Sequence, residues 1–183
     1  MLREISLHML DLAQNSLSAG AANIAVFLWA DRKADTLTLR IKDDGCGMDE
    51  EFLERVTDPF TTTRKTRKTG LGLPFVRLSA ELSGGSFKIA SKKGAGTEVT
   101  AVFGLSSIDR MPVGDLAESL VTLTSQCDAA GAELTFSLKA DGKSFDYSTS
   151  EVRRVLGPDI SLQDAGVLQC LKELIRKEIL VLD

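Results

Sequence analysis

Glu4, His8, Asp11, Asn15 and Ser18 recur at intervals of three and four near the start of the chain. A helix would carry them as one polar stripe beside an apolar face, and a solvated helix surface has the same pattern. Asp43-Asp44-Gly45-Cys46-Gly47 sets a carboxylate before two glycines. That carboxylate can accept a hydrogen bond from an exocyclic amine, while the glycines let backbone approach a planar base; alone, the pattern is also an ordinary turn. Thr69-Gly70-Leu71-Gly72-Leu73-Pro74 leads into an apolar, helix-like stretch. The free N–H groups at such a helix start favour phosphate oxygens. Just before it, residues 61–68 carry four cations and four threonines, enough to close over a triphosphate as a lid. Gly94-Ala95-Gly96-Thr97 is a turn that delivers a hydroxyl, and by itself it says little.

The elements that must hold these groups are legible. Leu2, Ile5, Met9, Leu12, Ala13 and Leu17 predict a helix over 2–18 that stops at Gly20. Strands are predicted over 23–30 and, from clean alternation, over 36–42, so that Asp43 stands at a strand end. Asp49 caps a short helix that ends before Pro59. A further helix opens at the second glycine cluster and stops at Gly84-Gly85, followed by strands over 86–91 and 97–103. This order implies an α+β architecture with one layer of helices on a mostly antiparallel sheet. The segment 106–114, with Pro112, marks a boundary. Beyond it come a helix near 114–127, a hairpin of 133–139 with 144–147 around Asp141-Gly142, and two helices, the last capped by Ser161 with Asp164 three residues on. The expected units are residues 1–105 and a small α+β unit over 107–183.

The 183-residue chain has a net charge of −4 and 43% hydrophobic residues. It has the composition of a folded protein, and its surface as a whole does not attract nucleic acid. Cys46, Cys127 and Cys170 form neither a metal pair nor a disulfide framework, which fits a reducing compartment. No leader-like block and no membrane-spanning apolar run is evident, so a cytoplasmic protein without membrane contact is expected.

Taken together and in order, Asn15, Asp43-x-Gly45-x-Gly47, Asp58-Pro59-Phe60, Gly70-Leu71-Gly72-Leu73 and Gly94-x-Gly96-Thr97 resemble the N box, first glycine box, F box, second glycine box and final glycine-threonine motif of histidine-kinase ATPase domains. These domains belong to the GHKL superfamily. The resemblance covers residues 1–105 and implies a Bergerat-type two-layer α/β sandwich. It implies ATP and Mg²⁺ as ligands, with Asn15 on the metal, Asp43 on the adenine amino group and Thr97 supporting the same edge through water. Gly45 and Gly47 would line the base, and Thr69, Gly70, Leu71, Gly72 and Leu73 would meet the phosphates. Among Arg64, Lys65, Arg67 and Lys68, with Lys65 and Lys68 as the named candidates, one or more would neutralise the β- and γ-phosphates. Asp11, one turn before Asn15, takes the place of a glutamate general base found in several superfamily ATPases. His8 either hydrogen-bonds Asp11 or faces solvent. The chain departs from the pattern at Lys68, where a glycine is usual, and at Asp44, where an asparagine is usual.

The chain starts at the N-box helix and His8 is its sole histidine, so self-phosphorylation in the two-component manner is not expected. Two functions follow from the resemblance. One is a protein kinase acting on a partner, similar to anti-sigma-factor serine kinases. The other is an ATP-gated binding module with slow or no hydrolysis. In both, residues 107–183 would dock a protein partner.

Overall fold

The computed structural model describes residues 4–56, 72–157 and 160–180. Among these residues six helices and six strands follow in the order α1 (Ile5–Ser18), β1 (Asn23–Asp31), β2 (Thr36–Asp43), α2 (Glu50–Val56), α3 (Gly72–Leu82), β3 (Ser86–Ser91), β4 (Thr97–Gly104), α4 (Leu116–Ala130), β5 (Glu133–Ala140), β6 (Lys143–Ser148), α5 (Thr149–Leu156) and α6 (Ala165–Leu180). The strands form one sheet in the order β3-β4-β2-β1-β5-β6. Every pairing is antiparallel except β1 with β5, which is parallel. This is the α+β, two-layer sandwich expected from the sequence.

Strand alternation sets the core. Ile24, Val26 and Leu28 of β1, Leu37, Leu39 and Ile41 of β2, Val99, Ala101 and Phe103 of β4, and Leu134, Phe136 and Leu138 of β5 are all buried. Register aligns them in rows across the sheet: Ile89, Val99, Ile41, Val26, Phe136 and Tyr147 follow one another through five strand pairings. Helix α1 packs on these rows through Ile5, Met9, Leu12 and Ala13, the 3–4 spacing of an amphipathic helix. The opposite sheet face carries Phe27, Trp29 and Arg40, with the Arg40 guanidinium 4.5 Å from the Phe27 ring centroid.

The boundary expected near 106 falls in the linker between β4 and α4, and the segment beyond it extends the same sheet through β5 and β6. Asp115 caps α4 by accepting from Glu118 N–H at 2.9 Å, and Gly131, at φ +68°, ends it. The turn of the β5–β6 hairpin sits at Asp141 and Gly142, both at positive φ, as expected. One cap differs from expectation. Asp164, rather than Ser161, starts α6, because its carboxylate accepts from Gly166 and Val167 N–H at 2.8 and 3.2 Å, while Ser161 Oγ closes a turn by accepting from Gln163 N–H. No helix among the described residues is long and apolar enough to cross a membrane.

Because β5 completes the sheet beside β1, we propose that the two parts of the chain unfold together. Leu134 is fully buried in β5, and Leu134→Ala should lower stability by about 2–5 kcal/mol. In urea unfolding, Trp29 fluorescence on β1 and far-ultraviolet circular dichroism should shift together. Separate transitions from the two probes would instead show that residues 1–105 stand as a unit of their own.

Candidate functional site

The last residue of β2 is Asp43, and register places Thr97, the first residue of β4, directly opposite. Helix α1 ends over this corner, where Ser16 Oγ donates to Asp43 Oδ2 at 2.6 Å. Asp43 Oδ1 accepts from Gly45 N–H at 2.9 Å and Thr97 N–H at 3.2 Å. A carboxylate has about four acceptor positions, so three fixed donors orient it and leave capacity for one more. Thr97 Oγ1 lies 2.8 Å from Ser91 Oγ, which donates to the Gly96 carbonyl at 3.0 Å and accepts from Met48 N–H at 2.9 Å.

The loop after β2 is held on both sides. Cys46 N–H donates to the Ala19 carbonyl at 2.9 Å, and Gly94 N–H donates to the Cys46 carbonyl at 2.7 Å. Gly47 has φ +62°, and a Cβ there would stand 2.1 Å from the Lys92 carbonyl oxygen, so only glycine lets the two loops meet this closely. Asp44 anchors the loop from below. It accepts from Ala22 N–H and Asn23 N–H at 2.8 Å each and from the Asn23 amide at 2.7 Å. These bonds, the Asn23 side chain foremost, hold its carboxyl below the usual range. The departure from asparagine is thus occupied in tying β2 to the turn that precedes β1.

A cavity of about 440 Å³ opens at this corner, within the range of small-molecule sites. Asn15, Asp43, Gly47 and Thr97 line it, with Leu73 from the first turn of α3. Ile41, Val99, Phe52 and Val56 supply apolar walls, and Asp49 holds the start of α2 by accepting from Phe52 N–H at 2.8 Å. Gly45 lies behind the wall, against Ala19 and Asp43. Lys65, Lys68, Thr69, Gly70 and Leu71, and with them the expected lid, lie outside the described residues. Ser16 and Ser91 went unnoticed in sequence; the one signal was that Ser16 follows Asn15, a full turn after the buried Leu12.

Asp11 is not on the cavity wall. Its carboxylate lies against Gly72, where an added Cβ would stand 1.6 Å from Oδ2, so glycine alone lets α3 begin there. Oδ2 is buried without a hydrogen-bond partner among the described residues, and burial raises the Asp11 pKa. His8, expected at solvent or on Asp11, is 1% exposed, and neither ring nitrogen has a partner among the described residues. Burial lowers its pKa from 6.5 to about 4. The polar stripe of α1 is therefore buried at His8, half-buried at Glu4, Asp11 and Asn15 and exposed at Ser18, with α3 and α4 packed beside the helix.

A titration should report this enclosure. The unfolded chain takes up a proton at His8 near 6.5, whereas the folded chain resists protonation to about 4. Stability should therefore fall by roughly 2–3 kcal/mol through His8 as pH drops across that window. Asp11 acts in the opposite sense, since a raised carboxyl pKa makes its ionisation destabilising as pH rises. Urea midpoints for His8→Leu should lose the acid-side decline, and a profile parallel to wild type between pH 6.5 and 4 would contradict the burial of a neutral imidazole.

Comparison with known proteins bears on the same half of the chain. The family model described as histidine kinase-, DNA gyrase B- and HSP90-like ATPase matches residues 2–107. Histidine protein kinase DivJ of Caulobacter vibrioides is 35% identical over 96 residues, 50% of this chain and 16% of DivJ. Signal transduction histidine-protein kinase AtoS of Escherichia coli is 31% identical over 103 residues, 56% of this chain and 16% of AtoS. The autoinducer sensor kinase/phosphatase CqsS of Vibrio cholerae is 30% identical over 95 residues, 52% of this chain and 14% of CqsS. The chain thus spans only a small part of the length of these curated relatives. With more than half of its residues matched, the chain belongs to the histidine kinase-, DNA gyrase B- and HSP90-like ATPase family, whose domains bind ATP.

Proposed function

We propose that the chain binds ATP with Mg²⁺ at the cavity beside Asp43 and transfers the γ-phosphoryl group to a partner protein. The observation that carries this reading is the contact between the Asp11 carboxylate and Gly72. It sets a potential general base at the start of α3, the end of a helix that favours phosphate. The residues fit the ligand. The cavity has the size for a nucleoside, its carboxylate is oriented by three donors, and the Asn15 amide makes no hydrogen bond among the described residues. Asp43 would accept from the adenine N6 amine, where guanine presents a carbonyl oxygen instead. Asn15 would hold Mg²⁺ through its amide oxygen, with phosphate and water completing the shell; the ion would neutralise phosphate charge. Asp11, its pKa raised by burial, is a stronger base than a solvated aspartate and would orient or accept the proton of the acceptor hydroxyl.

A second reading, an ATP-gated binding module, has an observation of its own. Ile5 and Ser6 N–H, in the first turn of α1, donate to the Pro112 and Val113 carbonyls at 3.0 and 2.8 Å. The helix bearing Asp11 and Asn15 is thereby tied to the linker that leads into 107–183, where a partner would dock. Cytoplasmic location belongs to both readings.

Asp43→Asn should weaken ATP binding ten- to a hundredfold in calorimetry, a loss of about 1–3 kcal/mol. Unchanged affinity would remove Asp43 from the adenine contact. For the transfer itself, label from γ-labelled ATP should reach a partner protein with wild type. Asp11→Asn should abolish that transfer while ATP affinity stays within about threefold. Label transfer that survives Asp11→Asn would exclude Asp11 as base. Partner affinity that differs between ATP and ADP with no label moved would select the gated module.

A further inference from the structure

A second cavity, of about 600 Å³, lies at the other end of the sheet, and no described residue lines both. Its walls are largely apolar, with Leu28, Leu37, Leu105, Val113, Leu138 and Ile179 meeting there from β1, β2, the linker, β5 and α6, and Asp115 and Asp141 also line it. Three arginines stand around this apolar space. Arg32 is paired with Asp141 at 2.6 Å, and Arg176 is paired with Asp115. Arg110 is different. It is half-buried, and its Nε and one Nη donate to the carbonyls of Leu105 and Met111 at 2.9 and 3.0 Å. No carboxylate pairs with it among the described residues.

Two neutral carbonyls orient a guanidinium without cancelling its charge, and that charge persists at every accessible pH. Beside an apolar wall, poor solvation strengthens its attraction for an anion. The segment bearing Arg110 is also fixed in place, because Pro112 and Val113 accept from the first turn of α1. The cavity therefore combines a preset cationic group with room for an apolar body.

We propose that this cavity is a ligand site for a small monocarboxylate with an apolar chain or ring. The carboxylate pairs with Arg110 and the apolar body fills the space between the sheet and α6. The site is separate from the nucleotide cavity and stands whether or not the chain transfers phosphate. Its size falls within the usual range of small-molecule pockets.

Calorimetry on the full chain, with octanoate and 1-octanol as probes, tests this. Octanoate should saturate at one per chain, bind at least tenfold more tightly than octanol, and persist in the presence of saturating ATP. Arg110→Gln should weaken octanoate at least tenfold and leave octanol unchanged, while Arg110→Lys should recover part of the loss. Equal affinity for the acid and the alcohol, displacement by ATP, or no saturation at millimolar ligand would each overturn the proposal. Should Arg110→Gln fail to fold, as thermal melting would reveal, the acid-against-alcohol ratio in wild type decides alone.

Discussion

Helix α1 lies on the sheet with α3 and α4 beside it, and this enclosure governs the rest of the structure. A helix on a surface can give its polar stripe to water, but here His8 within the stripe is buried and Asp11 half-buried. His8 must therefore stay neutral, Asp11 holds its proton more tightly than a solvated carboxyl, and Ser16 reaches Asp43 instead of solvent. The burial of His8 and Asp11 costs stability unless a partner group arrives, since buried polar atoms without hydrogen bonds are unfavourable by about 1–3 kcal/mol each. The unpartnered Asp11 Oδ2 and the two His8 nitrogens thus lie on the helix that also borders the cavity beside Asp43. Such local destabilisation is characteristic of sites that trade stability for chemistry.

Asp43 is the second fixed point. It closes β2, faces Thr97 across the ladder and receives Ser16 from α1, so three elements converge on one carboxylate. That convergence explains why the glycines around it leave no space for side chains. At Gly47, the backbone of the loop after β2 passes so near Lys92 that any Cβ would collide. The cavity beside Asp43 is therefore a consequence of how β2, β4 and α1 meet, and the ladder register that sets Asp43 opposite Thr97 helps to fix its shape.

Much of this was legible in sequence because local rules suffice for it. The alternation Thr36 to Lys42 set both the strand and the position of Asp43 at its end, and Ser86–Ser91 matched its strand residue for residue. Asn15, Asp43, Gly47, Leu73 and Thr97 do gather at one cavity, as their types and order suggested. What escaped depends on long-range packing. Nothing near Glu133 signals that its strand will run parallel to β1, a pairing about 110 residues apart that only the finished sheet defines. His8 read as a partner of Asp11 or as solvent-facing, and its burial escaped because it depends on packing that its sequence neighbours do not signal. Ser161 and Asp164 both suit a cap, and the shorter path from the Asp164 carboxylate to Gly166 and Val167 decided between them.

The joining of β5 to β1 has a further consequence. A sheet ending at β1 would expose an unpaired edge of nine residues, including Val26 and Leu28, and such edges invite pairing with other chains. The C-terminal segment removes that edge, then places α4 against α1 and the linker against the first turn of α1. Helix α1 is thereby gripped at both ends, by Asp43 through Ser16 at one and by Pro112 and Val113 at the other. A helix of 14 residues spans about 20 Å at 1.5 Å per residue, far enough to connect the corner of the cavity beside Asp43 with the linker bearing Arg110. A packed helix moves as a body, since its side chains interlock with both layers. The backbone hydrogen bonds of Ile5 and Ser6 to residues 112 and 113 therefore join the helix that bears Asp11 and Asn15 directly to the linker.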